Sequence, residues 1–68
     1  MVFEYFPDTD SFYIALRPSL GADAKEVAPD VILDYDAKDA VIGFTIEHAS
    51  ERVELSSLSV TRIPPLAA

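Results

Sequence analysis

Cysteine and tryptophan are missing from these 68 residues, and basic side chains are scarce: five Lys and Arg stand against 12 Asp and Glu. Without cysteine there is no disulfide and no thiolate metal site, and nothing signals an oxidising compartment, so a cytoplasmic location is the expectation. The basic residues Arg17, Lys25, Lys38, Arg52 and Arg62 stand singly in a chain of net charge −7. Nucleic-acid binding needs clustered Lys and Arg to meet phosphates, so no direct DNA or RNA partner is expected. Long hydrophobic runs are lacking too: none approaches the roughly 20 residues that span a bilayer. Met1–Tyr5 has neither the basic region nor the apolar stretch of a signal peptide, and no membrane partner is expected.

Hydrophobic residues, by contrast, make up 50% of the chain. A domain this short buries only about 60% of the surface that its unfolded chain exposes. Small scaffolds make up the deficit with disulfides, a metal or a partner subunit, and the first is unavailable here. Self-association into a dimer or larger homo-oligomer is therefore expected. The acidic surface adds a second expectation, a small basic protein as partner, since complementary charge steers encounter.

Val2–Phe6 is aromatic and β-branched and stops at Pro7-Asp8-Thr9-Asp10, where Pro and Asp favour a turn. Phe12–Arg17 resumes the extended pattern and ends at Pro18, so the two runs read as a β-hairpin. Ser19–Ala24 is a connection in which Gly21 is the expected seat of a positive φ. Lys25–Ala28 begins a further extended stretch, with Pro29 confined to an edge, a bulge or a strand start. Val31–Asp36 and Val41–Glu47, joined across Ala37–Ala40, form the second hairpin. Ile42, Phe44 and Ile46 share one face of the last run while Gly43, Thr45 and Glu47 share the other, the pattern of a half-wet strand. Phe12, Ile14 and Leu16 alternate likewise with Tyr13, Ala15 and Arg17, and Val31, Leu33 and Tyr35 with Ile32 and Asp34. Ser50 and Glu51 suggest a helix start, with Ser50 as N-cap. Val60–Ile63 favours extended structure, and 64–68 are expected to fray.

Three blocks then resemble a small bacterial and archaeal family. Phe6-Pro7-Asp8-Thr9-Asp10-Ser11-Phe12-Tyr13-Ile14-Ala15-Leu16 is similar to its opening motif, Y-D-x-x-x-D-x-L-Y-I-x-L. Glu26–Asp36 resembles the next block, E-x-x-P-G-x-x-x-D-x-D, and Val41–Ser50 the third, V-x-G-I-E-I-x-x-A-S. The blocks span roughly residues 3 to 53 in order, and the family is domain-of-unknown-function 2283. Asp30 departs from it by standing where the family has Gly, and Ala40 stands near the family's turn glycine. The resemblance implies a compact antiparallel β-rich unit and carries no catalytic residues. Because some relatives are encoded beside small toxin-like proteins, it also suggests an antitoxin-like role.

Each possible site has a structural competitor. Asp34, Asp36 and Asp39 surround the second hairpin turn, but Lys38 interrupts them and no glycine follows, unlike a calcium loop. An acidic turn that satisfies its own backbone is the better account. Asp8 and Asp10 lack the enclosed pocket that separates the pKa values of a catalytic pair. His48 lies near Glu47 and Ser50, yet no strained nucleophile turn accompanies it. The aromatic set Phe3, Tyr5, Phe6, Phe12, Tyr13, Tyr35 and Phe44 reads as core with an interfacial surplus.

The expected architecture is a single mainly β domain over 1–68. It comprises four antiparallel strands in two hairpins, a short helical turn and a short C-terminal strand. The expected function is a non-enzymatic, homo-oligomerising interaction module with no cofactor, metal or catalytic residue. Tyr13, Ile14, Ile32, Phe44 and His48 are its candidate interface positions. The alternatives are an acidic antitoxin-like partner of a small basic toxin, and a small enzyme whose site is shared between subunits around His48.

Overall fold

In a computed structural model that describes residues 1–61, the chain folds as one five-stranded antiparallel sheet with a short helix. The elements are β1 (Val2–Phe6), β2 (Ser11–Ala15), β3 (Asp23–Ala28), β4 (Val31–Tyr35), β5 (Val41–Ile46) and α1 (Ala49–Arg52). Their order across the sheet is β1-β2-β5-β4-β3, so β5 enters between the two earlier hairpins and joins them.

Both expected hairpins are present, but the strand count is five rather than four. Asp23–Ala28 is a complete strand, antiparallel to β4 from Asp23↔Tyr35 to Ala28↔Val31, with a bulge between Glu26 and Ala28. Its residues are poor strand formers, and pairing with β4 overrides that local preference. The short C-terminal strand is also revised: residues 53–61 form none, and the rest of Val60–Ile63, like residues 64–68 with their expected fraying, lies outside the described residues.

Register converts alternation into two chemically distinct faces. Phe3 sits opposite Ile14, Ile14 opposite Phe44, and Phe44 opposite Leu33, forming one apolar row. A parallel row runs Tyr5, Phe12, Ile46, Val31. Leu16 adds a third by donating its N–H to the Ile42 carbonyl at 2.8 Å. Phe3 and Phe12 meet edge to face, with centroids 6.0 Å apart, an arrangement favoured by the ring quadrupoles. The opposite face carries the row Glu4, Tyr13, Thr45, Ile32, Glu26.

Gly43 lies where a side chain would not fit. A Cβ there would stand 2.7 Å from the Ile14 carbonyl oxygen and 3.1 Å from the Tyr13 hydroxyl. Glycine thus lets β5 and β2 approach closely while Tyr13 covers the gap.

The core is thin. Among the described residues, the buried hydrophobic side chains are Ile14 at 8% exposure, Ile42 at 3% and Ala49 at 0%. The chain exposes 5415 Å², where a compact monomer of 7.4 kDa exposes about 4200 Å².

Candidate functional site

One end of the sheet gathers the polar side chains that the sequence scatters. The β1–β2 turn, the β3–β4 turn and the β5–α1 junction all lie there, as the strand directions require. Each places a residue with positive φ at this end: Asp10 at 53°, Asp30 at 65° and His48 at 53°. Asp tolerates the left-handed region because its short side chain bonds to nearby polar groups. Gly21, the expected seat of a positive φ, does not have one, and nothing crowds it that would make glycine necessary.

Asp10 ties the first turn to α1. Its carbonyl accepts the Ala49 N–H at 2.9 Å. Its carboxylate accepts the Ser50 N–H at 3.1 Å, the Ser50 hydroxyl at 2.7 Å and the Tyr5 hydroxyl at 2.7 Å. These bonds, Ser50's first and then Tyr5's, hold the Asp10 carboxyl below its ordinary value, and the same carboxylate raises the Tyr5 phenol. Ser50 is therefore not the N-cap expected of it. His48 occupies that position without a side-chain bond, and Asp10 supplies the capping oxygen from 40 residues away.

Asp30 grips the same helix from the other side. Its carbonyl accepts the Glu47 N–H at 2.8 Å, while its carboxylate lies 3.2 Å from His48 Nδ1 and accepts Arg52 Nε–H at 2.9 Å. Partial burial raises the Asp30 carboxyl, but the His48 and Arg52 contacts outweigh it and leave the group lowered. Pro29 followed by a residue at positive φ fits the two-residue link of a type II turn, where Gly or Asn is usual. Asp30, His48, Glu51 and Arg52 line an open depression of about 660 Å³.

This geometry does not assemble an acid–base–nucleophile relay. The Ser50 hydroxyl donates to Asp10, and the imidazole of His48 is paired with Asp30 and largely exposed. Nor do the described residues contain a group of three or more His, Asp or Glu placed to hold a metal ion. Asp36, at the far end, accepts the N–H groups of Lys38 at 2.8 Å and Ala40 at 2.9 Å, so that turn satisfies its own backbone. The Ala40 bond is the main cause of its lowered carboxyl.

The family described as Protein of unknown function (DUF2283) matches residues 3–50. The chain belongs to this family. No curated protein and no solved structure matches the chain. The matched span ends within α1, so it contains both carboxylate clasps except Arg52.

The five candidate interface positions fall in three places. Ile14 and Phe44 form a directly opposed pair on the apolar face. Tyr13 and Ile32 lie on the other face, each opposite Thr45, and His48 stands at the sheet end. No single surface contains all five. Asp10 and Asp30 were missed as long-range ties; the only signal was an Asp in each Pro-containing turn, which also fits a local turn former.

Proposed function

We propose that this protein is a non-enzymatic interaction module of the cytoplasm that forms a homodimer or larger oligomer through the apolar face of its sheet. The observation that carries this reading is a single-layer sheet whose apolar rows lack a full cover. Antiparallel sheets keep one face wet and pack the other. Here the described cover is a four-residue helix and the arm that follows it. Leu55 and Leu58 of that arm line a groove of about 310 Å³ with Phe3, Tyr5 and Phe12, at one corner of the face. Phe44, Ile46, Leu33 and Val31 remain partly exposed. A standard interface removes about 800 Å² per partner. Light scattering after size exclusion tests it: the expected mass is at least twice the 7.4 kDa chain, and a single-chain mass at all concentrations overturns it.

A second reading, an acidic partner for a small basic protein, draws on the other face. Glu4 and Glu26 share a row there, and Asp34 and Glu47 stand on the same side by alternation. A small basic protein encoded beside this one should co-purify with it at low salt. Glu4→Gln with Asp34→Asn should weaken that complex, and binding unaffected by salt or by these changes would refute it.

A further inference from the structure

We infer that β1 is an assembly edge, which pairs antiparallel with β1 of a second copy and fuses two sheets into one of ten strands. This deepens the self-association reading and rests on it. The sheet has two edges, β1 and β3, and only one is defended. Natural proteins blunt edges with charges, bulges, proline and inward-pointing charged side chains. β3 carries the charges Asp23, Lys25 and Glu26 and the Glu26/Ala28 bulge, and Lys25, on the apolar face, sets its Nζ 5.6 Å from the Tyr35 ring centroid; a proline follows each edge strand, Pro7 after β1 and Pro29 after β3. β1 is Val-Phe-Glu-Tyr-Phe, unbulged, with one charge. Among the described residues, no backbone bond reaches it except from β2.

The occupant follows from where β1 is apolar. Phe3 and Tyr5, at 41% and 39% exposure, point to the apolar face; Val2 and Phe6, at 57% and 42%, point to the opposite one. A lid on either face would cover half of these side chains, whereas a neighbouring strand flanks all four. A two-fold axis sets residue i of one copy opposite residue j of the other and j opposite i, so identical strands pair antiparallel, and β1 offers apolar side chains on both sides of its single charge. Like charges directly opposite each other destabilise a ladder, which disfavours an axis through Glu4. With the axis at Phe3 or Tyr5, Glu4 faces Val2 or Phe6 of the second copy. Both registers keep the two apolar faces on one side, so edge pairing enlarges the face already proposed to assemble.

Amide hydrogen exchange across a concentration series, read beside light scattering, tests the inference. The β1 amides that point away from β2 should exchange at least about tenfold more slowly once the protein assembles. Val2→Lys combined with Phe6→Lys, on the face away from the apolar rows, should abolish that protection; circular dichroism checks that the sheet persists. Fast exchange at these amides in a multimeric protein overturns the edge pairing and leaves face-to-face association standing. Fast exchange with a single-chain mass throughout overturns both. Protection that is independent of concentration would mean that the chain occupies its own edge, and would also overturn the pairing.

Discussion

The two ends of the sheet hold together by different means. At the end bearing α1, carboxylates from two hairpin turns reach a helix remote in sequence: Asp10 bonds to Ser50, and Asp30 to His48 and Arg52. At the other end, Asp36 bonds within its own turn, adding only Arg17 at 3.1 Å, while Ile42 is buried beneath. A four-residue helix has no stability of its own, since helix nucleation is unfavourable and isolated short helices do not persist. The first end must therefore hold its helix in place by tertiary bonds, with Ala49 fully buried as the one apolar anchor. The second end needs no such help, because its turn closes on itself. Polar stitching at one end stands in for the packing that serves the other.

The largest effect should come from the packed end. Ile42→Ala is expected to cost about 2–5 kcal/mol, the range for deleting a buried aliphatic side chain. A small domain has on the order of 5 kcal/mol in all, so urea melts should show a chain near or past its unfolding threshold. A loss well under this range would mean that the second end is also held mainly by its polar groups. Next come Asp10→Ala and Asp36→Ala, which separate the ends by location. Asp10→Ala should speed amide exchange throughout Ala49–Arg52, because the Ser50 N–H and hydroxyl lose their acceptor. Asp36→Ala should speed exchange at Lys38 and Ala40 and leave α1 unchanged. If both variants loosen α1 equally, the ends are one cooperative unit and the comparison fails.

Acid should act on both ends together. Asp10, Asp30 and Asp36 all titrate below the 3.8 of a free aspartate. Their contribution is thus fully present above about pH 4 and is withdrawn as pH falls through the lowered folded values, because the unfolded chain then binds more protons. Thermal melts should hold steady from neutrality to about pH 5 and drop below pH 4. Asp10→Asn with Asp36→Asn should flatten that drop; an unchanged slope would show that these carboxylates do not carry it.

The sequence displayed the packed end far more plainly than the stitched one. Period-two alternation in Phe12–Leu16 and Ile42–Ile46 marked the apolar rows, because strand faces depend on spacing alone. Hairpin pairing was legible for the same reason, its contacts being local. Asp23–Ala28 was underestimated because an edge strand defended by charge lacks the composition of a strand. The insertion of β5 between β2 and β4 left no local mark, since it is decided by which rows bury each other. At the candidate site, Asp10 and Ser50 each had a plausible local use, turn former and N-cap, and nothing in their spacing showed that they would bond to each other. Tyr13 and Ile32 were grouped with Ile14 and Phe44 on hydrophobicity, and register divides them between two faces.

The smallest expected effect is also the most informative about the stitched end. Asp30 does two things that a glycine would not do together: it takes φ 65° against its own Cβ, and its carboxylate holds His48 and Arg52. Left-handed backbone costs a Cβ-bearing residue roughly 1–2 kcal/mol, and Asp recovers part of that by local bonding. Asp30→Gly removes the strain and the clasp at once, so the two changes oppose each other and the melting temperature should move little. Asp30→Ala keeps the Cβ and loses the clasp, so it should melt below both. The order wild type, Gly, Ala with a narrow first gap fits a turn in which backbone relief nearly matches a solvent-screened ion pair. If Gly melts as low as Ala, the carboxylate contacts dominate and the clasp is the main support of α1. If Ala melts as high as wild type, the clasp does not matter, and α1 depends on Asp10 and Ala49.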